Sequence, residues 1–79
     1  MTVAVETQGS RVYVGRCHEY DETGILLLDA DMHEEGKDGI SNADWLKAAV
    51  SYGVWKKLDR VLIPRAEILS VRKLGELTL

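Results

Sequence analysis

The chain has 79 residues, of which 46% are hydrophobic and 29% charged, with 10 Lys and Arg against 13 Asp and Glu. This length allows one small domain, residues 1–79, and the composition predicts a folded globule and not a disordered chain. The single cysteine, Cys17, excludes an intrachain disulfide framework and four-thiolate zinc sites, so we expect oligomerisation to support so small a core.

Charge and hydropathy also limit the partners. No run approaches the roughly 20 apolar residues of a membrane span, and the first six residues lack the features of a secretory signal, which predicts a cytoplasmic protein without membrane association. Eight acids oppose one base in residues 17–38, and six bases oppose two acids in residues 54–73. These are either solvated strand faces or complementary surfaces that meet across a subunit boundary or face different partners.

The first half of the chain has the pattern of three strands. Alternation in residues 2–7 predicts a half-buried strand, residues 8–10 a hairpin turn, and residues 11–20 a second strand that Gly15 interrupts. A second turn at residues 21–24 precedes the apolar run 25–28, which is typical of a strand buried on both faces.

The second half begins with a polar segment. Residues 29–38 predict a solvated acidic strand that ends in a loop, and residues 41–52 predict a short helix with a Ser or Asn cap. Strands are predicted over 54–63 and 68–74, separated by Pro64. The fold class predicted is mainly β: a strongly bent five-stranded sheet that closes into a small barrel, with a helical insertion between the third and fourth strands.

Two motifs carry a resemblance to a known family. The first comprises residues 12–16 (VYVGR), 20–22 (YDE) and 26–29 (LLLD), and the second residues 61–68 (VLIPRAEI). Over about residues 3–35 and 54–74 the chain resembles the Sm and LSm (Hfq-related) family of small β-barrels. This resemblance implies a homo-oligomeric ring that commonly binds single-stranded RNA, with strand four of one subunit paired to strand five of the next. The implied interface residues are Val61, Leu62, Ile63, Ile68, Leu69 and Val71.

The chain departs from the family pattern in both motifs. Thr23, Gly24 and Ile25 stand where the family commonly has an aromatic residue or Met followed by a base-contacting Asn, and Pro64-Arg65 replaces the usual Arg-Gly. The ring architecture is therefore expected more firmly than the usual RNA chemistry.

Candidate nucleic-acid contacts combine a guanidinium or aromatic plane with positive charge, which is what single strands require. Arg65 and Tyr20 would stack on bases. The positively charged side chains of Lys56, Lys57 and Arg60 would neutralise phosphates. Alternatively, they are solvated charges on an edge strand. Tyr20 is alternatively a rim residue of the core.

Other functional readings are weaker. Asp29, Asp31 and His33 alternate along one strand, but one strand gives an incomplete ligand shell, so no metal or other cofactor is expected. Trp45 and Trp55 either cap the core or form an aromatic interaction surface. No catalytic spacing of residues is present, so the chain is not expected to be an enzyme.

Our leading hypothesis is a ring that binds single-stranded nucleic acid, RNA above all. The alternative is a ring-forming scaffold or protein-interaction module.

Overall fold

The computed structural model describes residues 1–76, which form a five-stranded antiparallel sheet and one α-helix. The strands are β1 (Thr2–Thr7), β2 (Arg11–Asp21), β3 (Gly24–Glu34), β4 (Leu58–Pro64) and β5 (Ile68–Lys73). The helix α1 (Asn42–Tyr52) follows β3 in the chain, and 3-10 turns occupy Lys37–Gly39, Arg65–Glu67 and Leu74–Glu76. The mainly β, five-stranded prediction is confirmed.

The order of strands in the sheet is β4-β3-β2-β1-β5, so that β4 and β5 are its two edges. A flat sheet would separate these edges by about 19 Å, at four spacings of ~4.8 Å. The link from Pro64 to Ile68 spans at most ~14 Å, so the sheet has to curve at this end. Within residues 1–76, however, β4 pairs only with β3 and β5 only with β1. Because no backbone ladder joins β4 to β5, the sheet does not close into the predicted barrel within one chain.

Both faces of the sheet are covered. Alternation along β1 sends Val3 and Val5 to one face and Ala4 to the other. The inner core, on the first face, consists of Val3, Val5, Ile25, Leu27, Ala30 and Ile63. The helix core, under α1, consists of Ala4, Val12, Val14, Leu46 and Ala49. The helix therefore buries the face of β1 and β2 that would otherwise be solvated.

A close approach between β2 and β3 explains the glycine inside β2. The pairing register shifts between Val14 and Arg16, and on β3 Asp29 has a left-handed backbone with φ of 50°. A Cβ atom at Gly15 would lie 2.7 Å from Ala30 Cβ and 3.0 Å from Ala30 Cα. Only glycine fits this position without displacing β3. A glycine inside a strand commonly marks such a bulge or a close approach of another backbone.

The polar segment after Leu28 differs from its prediction as a solvated strand and loop. The strand β3 continues to Glu34, and both Asp31 and His33 are buried where α1 crosses it. His33 Nδ1 lies 2.8 Å from Asn42 Oδ1, and the His33 ring stacks on Trp45 with centroids 5.4 Å apart. Because Asn42 Nδ2 donates to the Ser10 carbonyl, Asn42 Oδ1 is the acceptor and His33 Nδ1 the donor. The helix thus supplies the partners of His33, whereas Asp31 accepts locally from the Met32 N–H at 2.8 Å.

The fourth strand begins at Leu58, and not at Val54 as predicted. Gly53, with φ of 82°, ends α1, and the Lys57 N–H donates to the Trp55 carbonyl at 2.8 Å. This turn keeps residues 54–57 out of the ladder, which starts where Leu58 pairs with Ala30. Trp45 packs against the helix core, but the prediction that Trp55 also caps the core is wrong, because its side chain is 79% exposed.

Candidate nucleic-acid interface

The β2–β3 turn is held by its own polar side chains. The Asp21 carboxylate accepts from the Thr23 N–H at 2.9 Å and from the Thr23 hydroxyl at 2.6 Å. Such a bond pattern closes a tight turn without help from the rest of the sheet. It leaves Tyr20, the last residue but one of β2, 51% exposed at the edge of the turn.

Arg65 joins this turn from the other side of the chain. Pro64 fixes its own φ at −59°, and the Arg65 N–H then donates to the Thr23 carbonyl at 3.1 Å. Arg65 Nη1 lies 3.3 Å from the Asp21 carbonyl oxygen, and Arg65 Cζ lies 6.0 Å from the centre of the Tyr20 ring. This is the outer range of a cation–π contact. The structure therefore brings together Arg65 and Tyr20, which the sequence assigned to the same function, and we call this pair the Tyr20–Arg65 site.

The charge at this site is mixed. Hydrogen bonds from the Thr23 hydroxyl and then from the Thr23 N–H hold the pKa of Asp21 below its ordinary value, so the carboxylate is ionised at neutral pH. Glu19 and Glu22 are exposed on either side of it in the chain. The positive charge of Arg65 is thus accompanied by three acidic residues in and next to the turn.

A shallow depression adjoins the turn and contains Arg60. Its volume is about 280 Å³, and it lies between the end of β2 and the exposed edge strand β4. Arg60 is exposed and sits on β4 opposite Leu28. The residues that line the depression are Glu19, Asp21, Thr23, Gly24, Leu26, Arg60, Val61 and Leu62. Arg60 therefore shares this depression with Glu19 and Asp21, but neither Tyr20 nor Arg65 lines it.

Lys56 and Lys57 lie elsewhere. They precede β4, whose extended length carries Arg65 roughly 20–25 Å away from them at about 3.3 Å per residue. Lys56 lines a separate groove with Val50, Val54 and Lys73. Of the five residues predicted for one site, the structure thus brings only Tyr20 and Arg65 together, with Arg60 within β4 and Lys56 and Lys57 before it.

The residues implied for a subunit interface differ in exposure. Leu62 on β4 is 58% exposed and Leu69 on β5 is 65% exposed, so each edge strand presents one leucine to solvent. Val61, Ile68 and Val71 are half-buried against the inner core. The side chain of Ile63 is fully inside that core and its carbonyl faces β3, so Ile63 is not exposed to a partner subunit.

The predicted oxygen-rich strand has other contacts in the structure. Asp29 accepts from Arg16 Nη2 at 2.9 Å, Asp31 is buried and accepts from the Met32 N–H at 2.8 Å, and His33 is buried against α1. Within residues 1–76, no three His, Cys, Asp or Glu side chains are grouped so that they would hold a metal ion. No helix in the described part of the chain has the length and apolar character needed to cross a membrane.

We expect Thr23→Val to raise the pKa of Asp21 towards its ordinary value, because the hydroxyl is the largest cause of the depression. A carboxylate whose pKa is lower in the folded state stabilises the fold above the pKa of the unfolded chain, and this contribution is lost as pH falls through the folded pKa. Titration of the Asp21 carboxyl by NMR in both proteins measures the change. Thr7→Val, which removes a hydroxyl bonded to the Arg11 carbonyl, is the matched control. An unchanged Asp21 pKa in Thr23→Val would contradict this account of the turn.

The comparison with solved structures supports the fold. No protein-family model and no curated protein matches the chain. A solved structure, described as the crystal structure of a novel Sm-like archaeal protein from Pyrobaculum aerophilum, is similar with a TM-score of 0.57 and 22% sequence identity. The match covers 91% of this chain and 41% of that one, so the chain spans less than half the length of its neighbour. The chain therefore has an Sm-like fold.

Proposed function

We propose that the protein assembles into a homo-oligomeric ring that binds single-stranded RNA, with one Tyr20–Arg65 site in each subunit. The observation that carries this proposal is the position of Arg65 over the exposed Tyr20 ring, fixed by two hydrogen bonds to the neighbouring turn. The bases of a single strand stack on aromatic rings and guanidinium planes with little dependence on the identity of the base. A ring would repeat the site, so weak contacts in several subunits would add along one strand.

The two open edges support the assembly. An unpaired edge strand with an exposed leucine tends to pair with another strand, and pairing of β4 with β5 of the next subunit would leave no free edge in a closed ring. Val61, Ile68 and Val71 lie on the same strands and would extend the contact at the rim of the inner core. The Sm-like fold supports this mode of assembly.

We expect the wild-type protein to scatter light as a multiple of its 8.8 kDa subunit at micromolar concentration. Leu62→Asp places a charge in the proposed contact and should yield a monomer with an unchanged circular dichroism spectrum, since Leu62 is exposed in the single chain. Ile40→Asp is the matched control, because Ile40 is also exposed but lies on no strand. A stable wild-type monomer at this concentration would contradict the ring.

We expect Arg65→Ala to weaken binding of a single-stranded oligonucleotide that spans several subunits by well over tenfold, because each lost stacking contact is worth about 1–3 kcal/mol per base and the loss repeats in each subunit. Fluorescence anisotropy with poly-U, poly-A and DNA oligonucleotides at two salt concentrations measures the loss. Arg11→Ala is the matched control, since Arg11 is exposed at the opposite end of β2 and pairs with Glu34. If Arg65→Ala binds as tightly as wild type, the Tyr20–Arg65 site is wrong.

A second candidate function is a ring-forming scaffold that engages a protein without nucleic acid. It is favoured by the acids around Tyr20, which repel phosphates, and by the Thr23-Gly24-Ile25 sequence, which lacks a base-contacting amide. Ring formation in light scattering, combined with no oligonucleotide binding at low salt, would establish this alternative over RNA binding. In either case the function proposed is binding and not catalysis.

A further inference from the structure

The most exposed aromatic side chains of the described residues lie together at the end of α1. Tyr52 is 89% exposed and Trp55 is 79% exposed. Gly53 ends the helix between them, and the Lys57 N–H bond to the Trp55 carbonyl closes a turn at this point. A tryptophan is costly to leave in water, and an isolated domain normally covers it.

The charge around these rings is positive although the whole chain carries −3. Between Asp44 and Asp59 the sequence contains Lys47, Lys56 and Lys57 and no acid. Lys56 also lines an apolar groove of about 590 Å³ beside Val50 and Val54, where Lys73 from β5 pairs with Glu76 at 3.7 Å. The surface therefore combines exposed aromatic rings with Lys56 and Lys57, which directly follow Trp55 in the chain.

This combination matches one class of ligand better than others. The centres of protein–protein interfaces are enriched in tryptophan but depleted in lysine. Single-stranded nucleic acid requires both features, because unpaired bases stack on aromatic rings while the phosphates attract cations. We propose that Tyr52, Trp55, Lys56 and Lys57 form a second surface, the helix-end surface, which binds single-stranded nucleic acid by stacking a base on Trp55.

This assignment is independent of the Tyr20–Arg65 site. The length of β4 separates the two surfaces by roughly 20–25 Å. Each surface therefore predicts its own set of sensitive residues, and one can fail while the other holds.

Intrinsic fluorescence tests the stacking directly, because the chain contains two tryptophans. We expect a poly-U oligonucleotide at low salt to quench the fluorescence of the wild-type protein in a saturable manner. Trp55→Phe keeps an aromatic ring and should bind with similar affinity, but its remaining Trp45, which packs against the helix core, should not be quenched. Trp55→Ser should weaken binding by about tenfold.

The lysines are tested by salt dependence. Lys56→Ala should lower the slope of log affinity against log salt by about 0.7, the release expected for one phosphate contact on a single strand. Lys37→Ala is the matched control, because Lys37 precedes α1 and lies about 16 Å or more from the far end of this helix of 11 residues.

The outcomes separate the two surfaces. Quenching that persists in Arg65→Ala would support the helix-end surface even if the Tyr20–Arg65 site is wrong. Oligonucleotide binding in which wild type and Trp55→Phe show the same fluorescence response would overturn it. No binding at low salt would also overturn it, and would leave a protein partner as the occupant of Trp55.

Discussion

Gly24→Ala is expected to destabilise the fold by about 3 kcal/mol or more, through backbone strain and overpacking together. Gly24 has φ of +149°, a conformation that L side chains rarely adopt. A Cβ atom there would lie 2.2 Å from the Ile63 carbonyl oxygen, which belongs to the backbone of β4 and moves only if the strand moves. The pairing of Gly24 with Pro64 would open, and with it the Arg65 bond to the Thr23 carbonyl.

Thermal or urea unfolding measures this loss, which corresponds to a fall in Tm of roughly 10–20 °C for a domain of this size. Gly36→Ala is the matched control: Gly36 also has positive φ, at 82°, but no atom lies within 4 Å of the position its Cβ would take. It should cost only the strain of about 1 kcal/mol. Equal losses in the two variants would show that contact with β4 plays no part.

Gly15→Val is the second large effect, with an expected loss of about 2–3 kcal/mol from overpacking. Its Cβ atom would meet Ala30 Cβ at 2.7 Å and Leu27 Cβ at 3.2 Å, and both residues belong to the inner core. Because the Ala30 contact also involves backbone, no rotamer change relieves it. The damage should therefore spread to the register shift between β2 and β3.

The control for this variant is Gly75→Val, since nothing lies within 4 Å of a Cβ atom at Gly75. A surface change of this kind alters stability by about 0.5 kcal/mol or less. Thermal unfolding of Gly15→Val that matches the wild type would mean that β2 does not approach β3 closely at this point, and the predicted bend would lose its basis.

Local patterns predicted those parts of the fold that local residues determine. The alternation in β1, the two turns and the apolar start of β3 were all visible in the sequence, because a period of two and turn residues need no distant partner. Burial of His33 was not visible. The partners of His33 are Asn42 and Trp45, which lie on α1, beyond the loop that follows β3.

Only part of the candidate site could be predicted from the sequence, because its residues come from distant positions in the chain. Tyr20 and Arg65 are 45 positions apart, and both were predicted as nucleic-acid contacts because bases stack on aromatic rings and guanidinium planes. Lys56 and Lys57 are closer to Arg65 in sequence but lie far from it, because an extended strand separates its ends by its full length. For Trp55 the sequence left a core cap and an exposed aromatic surface as alternatives, although Gly53 before it and two lysines after it are signals of an exposed turn.

The strand order of the sheet has a consequence for the folding pathway. The strands β1, β2 and β3 form successive hairpins, whereas β1 pairs with β5 across nearly the whole chain, with Ala4 opposite Arg72. Contacts of such long sequence separation close large loops and form late. In the proposed ring, β5 also carries one of the two assembling edges. The last strand to dock would then be the strand that recruits the next subunit, so that folding and association become consecutive steps of one kinetic process, with a rate that depends on protein concentration.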